Sequence, residues 1–436
     1  MDILVILSLG LMILGTVLLT TSRKYQVSAR QTEAAPASFR PGKMSLPGTF
    51  LKRVVVYGFL LRLSIVAIFH VTDAIRVLHL SPDSLRYHRE GLFIAHEMSL
   101  GYFNWPNWID NGWFQFTGLV YYMFGPHPFV IQFFNITLGA VTPVIVYKML
   151  RKVYADERVA RWSALFTAFF PSFVYWSCLM LKDPLSIFAM SLLVLSVVSL
   201  RNRFHIKWLV SMLFSLLVFL SIREYMFFIG LFFIAASFLP TTGWRVGPML
   251  TKLLIIVIVV GSISLYMGFG FMGREYIAES QYFDINYINE TRIKMGGHGT
   301  GAFFEDPSSA LWGSDFWSNF KASAVGIFFF FFTIDFTRLG SVRQLMALPE
   351  VLIFVSLLPA LWRGMLDSWR NHREATLPLF VFALGIMVVY GSATTNMGAM
   401  FRWRMQAMPF FLAFLAHGLL LRSSGFYFRL LSRLRI

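Results

Sequence analysis

Apolar runs of about twenty residues recur along this chain and limit its fold more than any motif does. A helix needs about 20 predominantly apolar residues to cross a bilayer. Stretches of that kind lie at roughly 3–22, 54–72, 128–147, 162–181, 184–200, 208–222, 225–244, 253–272, 345–362, 376–393 and 405–421. Charged residues make up only 14% of the chain, against about 25% in a soluble domain, so a water-soluble globule is excluded. The sequence predicts an all-α polytopic membrane protein, a bundle of about 11 transmembrane helices. One further apolar stretch, 322–334, has 13 residues between Lys321 and Asp335 and reads as a re-entrant or interfacial segment.

The formal net charge of +16 is a topology signal before it is anything else. The first helix has Asp2 ahead of it and Arg23 and Lys24 behind it, so it is not a cleavable signal peptide and starts outside. Eleven crossings from there put the C-terminus in the cytoplasm. On this threading the inner segments hold 24 of the 38 Lys and Arg residues and five of the 22 acids. That bias reads as topology and argues against nucleic acid as a partner; the expected location is a bacterial inner (plasma) membrane, with the N-terminus outside and the C-terminus cytoplasmic. The lone Cys178 excludes an internal disulfide and makes a thiolate metal site unattractive.

The chain divides into an N-terminal helix and cytoplasmic linker at 1–53, a membrane core at 54–272 with a first outer loop at 73–127, a second outer loop at 273–344, and C-terminal helices with a basic tail at 345–436. Long loops in compact proteins are usually functional, so chemistry is expected on the outer face.

Residues able to do chemistry collect at the outer helix ends. From Asp83 to Glu97 the pattern is helical, with Leu85, Tyr87, Leu92, Phe93 and Ala95 forming an apolar stripe suited to the membrane surface. Ser81 or Asp83 caps its start, and Asp83 and Tyr87 share a face. Asp83 is either that cap alone or a carboxylate held as a base. Lys182 and Asp183 immediately precede Pro184. They are either a cap with a snorkelling lysine or a second acid and a cation. Arg223 and Glu224 occupy a very short outer connection, and Arg402 and Arg404 flank Trp403 where the last outer loop re-enters the membrane. Those arginines are either interfacial anchors or a grip on phosphate oxygens. Arg62, eight residues into its helix, is read as snorkelling, with no catalytic role.

No HExxH, P-loop or GxSxG sequence is present, and His88 and His96 have no partner at metal spacing. The glycines of 295–301 follow no strand and read as a loop over a substrate.

Several segments, in order, resemble the polyprenyl-phosphate-dependent GT-C glycosyltransferases, the class of the protein O-mannosyltransferases and the lipid A aminoarabinose transferases. They are PDSLRYHREG after the helix 54–72, WFQFTGLVYYMFGPHPFVIQFFNITLGAVTPVIVYKMLRKVY at 113–154, RVARWSALFTAFFPSFVYWSCLMLKDPL at 158–185 and NMGAMFRWRMQAMPFF at 396–411. The resemblance implies a GT-C-like bundle that moves a sugar from a polyprenyl-phosphate-linked donor to a glycan, lipid or protein acceptor on the outer face. It makes Asp83 the first-loop catalytic aspartate and Asp183 the second acid. Three features depart from it. Pro82 and Ser84 flank Asp83 where the family has an acidic pair, a helix precedes residue 54, and the large C-terminal soluble domain of some relatives has no counterpart.

The expected substrate contacts are Tyr87, Lys182, Arg223, Glu224, Arg402 and Arg404. With these cations no cofactor is required, no metal ligand is assigned, and a divalent ion at Asp83 and Asp183 stays open. A polysaccharide polymerase or O-antigen ligase, a lipid-linked sugar transporter, and a non-catalytic subunit are the competing classes. The absence of an internal repeat speaks against the transporter.

Overall fold

The computed structural model describes residues 46–79, 81–103, 107–239, 246–266, 285–296, 316–332 and 342–422. The predicted helix 3–22, the linker as far as residue 45, the glycine-rich 297–301 and the basic tail after Arg422 lie outside the described residues, while 47–53, expected in the linker, are helical. Among the described residues the backbone is helical, with no β-strand. Two compact units divide the chain, one drawn from 1–151, 156–188 and 416–436, the other from 152–155 and 189–415.

Among the described residues four helices are long and apolar enough to cross a membrane: Pro47–Val71, Pro128–Val153, Asp183–Asn202 and Arg373–Ala393. Two bent pairs each have the composition of a further span, Leu348–Ser356 with Leu358–Asn371, and Met397–Gln406 with Met408–Leu421. These bends, 50° and 67°, fall beside Pro359 and Pro409, whose rings cannot continue the preceding helical hydrogen bonds. The described residues thus hold four to six candidate spans, and the predicted crossing 3–22 is not among them. Ile206–Ile222 and Glu224–Ser237 are shorter apolar helices, and 17 residues rise only about 26 Å.

In the first unit, α1 (Pro47–His79), α2 (Pro82–Ser99), α3 (Asn107–Phe124), α4 (Pro128–Val153), α5 (Glu157–Phe169) and α6 (Pro171–Ser177) follow in order. α1 presents Tyr57, Leu60, Ile68 and Val71 outward, a face that suits lipid rather than water. α2 and α3 pack closely because both carry glycine at the contact. A Cβ on Gly91 would strike Thr117, and one on Gly118 would strike Ile94. Charges around the α4–α5 junction pair with one another: Arg161 and Arg151 reach Glu157 at 2.8 and 3.2 Å, and Arg158 reaches Asp156 at 2.9 Å.

Arg62 departs from expectation. It is fully buried instead of snorkelling. Its Nε donates to Ser177 Oγ at 2.8 Å and its Nη1 to the Gly58 carbonyl at 2.9 Å. Gly139 makes room for it, since a Cβ there would sit 2.8 Å from Arg62 Nε.

The second unit takes in most of α7 (Asp183–Asn202), then α8 (Ile206–Ile222), α9 (Glu224–Ser237), α10 (Val246–Tyr266), α11 (Ile285–Gly296), α12 (Phe316–Phe332), α13 (Val342–Ser356), α14 (Leu358–Asn371), α15 (Arg373–Ala393), α16 (Met397–Trp403) and most of α17 (Met408–Arg422). Its core is phenylalanine-rich. Phe233 meets Phe382 at 5.4 Å, and Phe331 meets Phe411 at 5.2 Å. α12, which takes in residues 322–332 of the predicted interfacial segment, packs on α15 through Gly326 and Gly391, whose backbones approach too closely for a side chain at either.

Candidate active site

The predicted span 162–181 is not one helix. Pro171 ends α5 after Phe169 and starts α6, which stops at Ser177. Residues 178–182 then run without a helix until α7 begins at Asp183. An unwound backbone inside an apolar bundle must find hydrogen-bond partners, and α4 supplies them. Gln132 Nε2 donates to the Cys178 carbonyl at 2.8 Å. Asn135 Nδ2 donates to the carbonyls of Leu179 at 2.7 Å and Leu181 at 2.8 Å. His70 Nε2 donates to Gln132 Oε1 at 2.6 Å. From the other side Arg62 holds Ser177. The outcome is a pinned stretch that delivers Lys182 and Asp183 to the start of α7, where an acid is favoured by the helix dipole. Asp183 is 2% exposed and Lys182 is half-buried.

Asp83 stands in the first turn of α2, half-buried, after Ser81 in the N-cap position and Pro82. The helix was expected, although its apolar stripe divides. Leu92 and Phe93 are exposed, while Tyr87 is buried with its ring edge-on to Phe114 at 5.3 Å and Trp113 at 6.2 Å. The α2 helix and the pinned stretch are linked through α3: the Tyr121 hydroxyl lies 2.8 Å from His88 Nδ1 and 3.4 Å from Met180 Sδ. Burial lowers the pKa of His88 and keeps its ring neutral.

In the second unit Arg223 is the single residue joining α8 to α9, with Glu224 opening α9. Arg223 donates to Tyr225 Oη at 2.9 Å, and its guanidinium carbon lies 5.9 Å from the centre of the Trp403 ring. Trp403 packs on Tyr390 at 5.2 Å, and Gln406 Nε2 donates to Tyr390 Oη at 2.7 Å. The structure therefore brings Arg223 to the 402–404 turn, where Arg402 is half-buried.

Arg404 goes elsewhere. It is fully buried and pairs with Glu350 Oε1 at 2.8 Å, with a second bond to the Phe331 carbonyl at 3.2 Å. Residues two apart on a helix point about 200° apart, so Arg402 and Arg404 cannot both face one polar surface. Arg404 is an interior ion pair, not a free phosphate grip. His70, Gln132, Asn135 and Tyr121 escaped the sequence reading. The spacing of Gln132 and Asn135, i and i+3 on one face of an apolar helix, was the available signal.

Residues 112–267 match the family model described as dolichyl-phosphate-mannose-protein mannosyltransferase. No curated protein matches the chain. Among solved structures the fold is similar to the archaeal oligosaccharyltransferase AglB from Archaeoglobus fulgidus, solved in complex with an inhibitory peptide and a dolichol-phosphate. That likeness has a TM-score of 0.51 at 13% identity and covers 87% of this chain and 51% of the other. The chain thus spans about half the length of that protein. The family match falls in the helical core, and the likeness to the oligosaccharyltransferase is one of fold, in a chain whose apolar helices suit an integral membrane protein. The matched region carries Lys182, Asp183, Arg223 and Glu224; Asp83 and Arg402 lie outside it.

Proposed function

We propose that this protein is a membrane glycosyltransferase that moves a sugar from a polyprenyl-phosphate-linked donor to a hydroxyl acceptor on the outer face of a bacterial inner membrane. The observation that carries the reading is the pinned Lys182–Asp183 step, an acid and a cation delivered by an unwound segment within the family-matched core.

In the proposed reaction Asp83 takes the proton of the acceptor hydroxyl as its oxygen attacks the anomeric carbon. The bond from that carbon to the phosphate oxygen breaks, and the lipid phosphate leaves with the electron pair. One displacement inverts the configuration. Asp183 positions the acceptor. Lys182 offsets negative charge growing on the leaving group, and Arg223 and Arg402 are proposed as phosphate contacts, with Glu224 beside them. Tyr87 and Arg404 are left out of this machinery because packing and pairing already hold them. The proposal needs no metal ion, although the carboxyls of Asp83 and Asp183 are of a type that divalent cations accept.

The test is transfer in vesicles holding purified protein and polyprenyl-phosphate sugars. Asp83→Asn should lose between about a hundredfold and ten-thousandfold of the rate, the usual worth of a general base. Full activity in that variant removes Asp83, and no transfer from any lipid-linked sugar removes the reading. Reporter fusions at 90 and 300 should both report the outside.

A further inference from the structure

Both hydrogens of the Asn135 amide are committed to the pinned stretch, one to the Leu179 carbonyl at 2.7 Å and one to the Leu181 carbonyl at 2.8 Å. The segment turns between those two carbonyls, the Leu181 N–H donating to the Leu179 carbonyl at 3.0 Å, so one amide on α4 holds both ends of the turn just before Asp183. Asn135 is fully buried. Gln132, three residues earlier, holds the Cys178 carbonyl and is itself held by His70. Beyond Asp183, the Lys182 carbonyl accepts the backbone N–H of Ser186 at 3.1 Å, which starts the ladder of α7. The acid therefore sits between a side-chain clamp and a helix start, with no slack on either side.

We propose that Asn135 is a positioning residue for the transfer reaction. It touches neither donor nor acceptor, and acts by setting where the Asp183 carboxyl and the Lys182 ammonium stand. The inference rests on the transferase reading for its kinetic consequence and on the hydrogen bonds alone for its structural one.

The experiment grades the number of amide-type donors at this position. Asn135→Ser keeps a single short donor, and Asn135→Leu keeps the volume with none. In the vesicle assay kcat should fall at least tenfold for Asn135→Leu, with Asn135→Ser between it and the parent, while the KM for the lipid-linked donor stays within about twofold. Hydrogen–deuterium exchange over 178–183 should rise in the same order, with exchange in the body of α7 unchanged. A folded Asn135→Leu protein with parental kcat, or KM moving in step with kcat, overturns the proposal. Should the leucine variant fail to fold, the serine variant carries the same two criteria. Exchange that rises as expected in a protein with no transfer activity at all would sink the transferase reading and leave the clamp standing.

Discussion

His88 Nδ1 lies 2.8 Å from the hydroxyl of Tyr121, and that contact ties the helix bearing Asp83 to the helix that touches the pinned stretch. The ring of His88 also packs on that of Tyr121 at 5.5 Å. Burial holds the His88 pKa below its ordinary value, so the folded protein resists binding a proton that the unfolded chain accepts near pH 6.5.

The sign of the pH dependence follows. Where the unfolded state binds more protons, stability rises with pH. The contribution of neutral His88 is therefore intact above about pH 6.5 and is lost as the pH falls below that value. Thermal midpoints measured in detergent between pH 7.5 and 5.5 should fall further for the parent than for His88→Gln, which cannot titrate. Parallel curves would show that the ring is not the group responsible.

Arg404 and Glu350 form a buried pair, and breaking such a pair from one side strands a charge. Glu350→Gln should cost about 3–5 kcal/mol, whereas the double variant Glu350→Leu with Arg404→Met should recover most of that loss. Heat denaturation followed by size-exclusion recovery reads both. If the double variant keeps normal use of the lipid donor, Arg404 has no part in phosphate binding, as its burial implies.

Arg402, half-buried, and Arg223, buried at the α8–α9 junction, are the proposed phosphate contacts. A guanidinium bound to phosphate is worth about 1.5–3 kcal/mol, equivalent to a rise of between about ten- and a hundredfold in the donor concentration required. Arg402→Ala and Arg223→Ala should each show that rise, with the acceptor requirement little changed. An unaltered donor requirement would make the affected arginine an interfacial anchor. Arg223→Lys separates charge from geometry, because lysine cannot reproduce the flat contact with Trp403.

Much of the fold could be read from the sequence because apolar length and period survive in any membrane helix. α2 was predicted within two residues at either end, since Pro82 and the apolar stripe mark it. The break at Pro171 was hidden because the run 162–181 stays apolar on both sides of the proline. Arg223 was legible as a junction, since two apolar helices cannot share so short a link without placing it at the turn. The clamp was not. Gln132 and Asn135 look like stray amides in an apolar helix until the carbonyls they serve are known, and those lie more than forty residues away in sequence. The pairing of Arg404 was not legible for a related reason: its acid partner, Glu350, is 54 residues distant, and pattern along the chain cannot pair them.

Arg62 carries a consequence for how the protein is made. Its hydroxyl partner, Ser177, comes 115 residues later. At 5–20 residues per second, α1 waits on the order of ten seconds at the translocation machinery before that partner is synthesised. An arginine at mid-helix costs about 2.5–3.5 kcal/mol on insertion scales, so until then the helix is a reluctant tenant of the bilayer. Biogenesis of this chain is thereby expected to hold α1 beside the translocon until α6, with Ser177 at its end, is made, coupling membrane insertion to tertiary assembly.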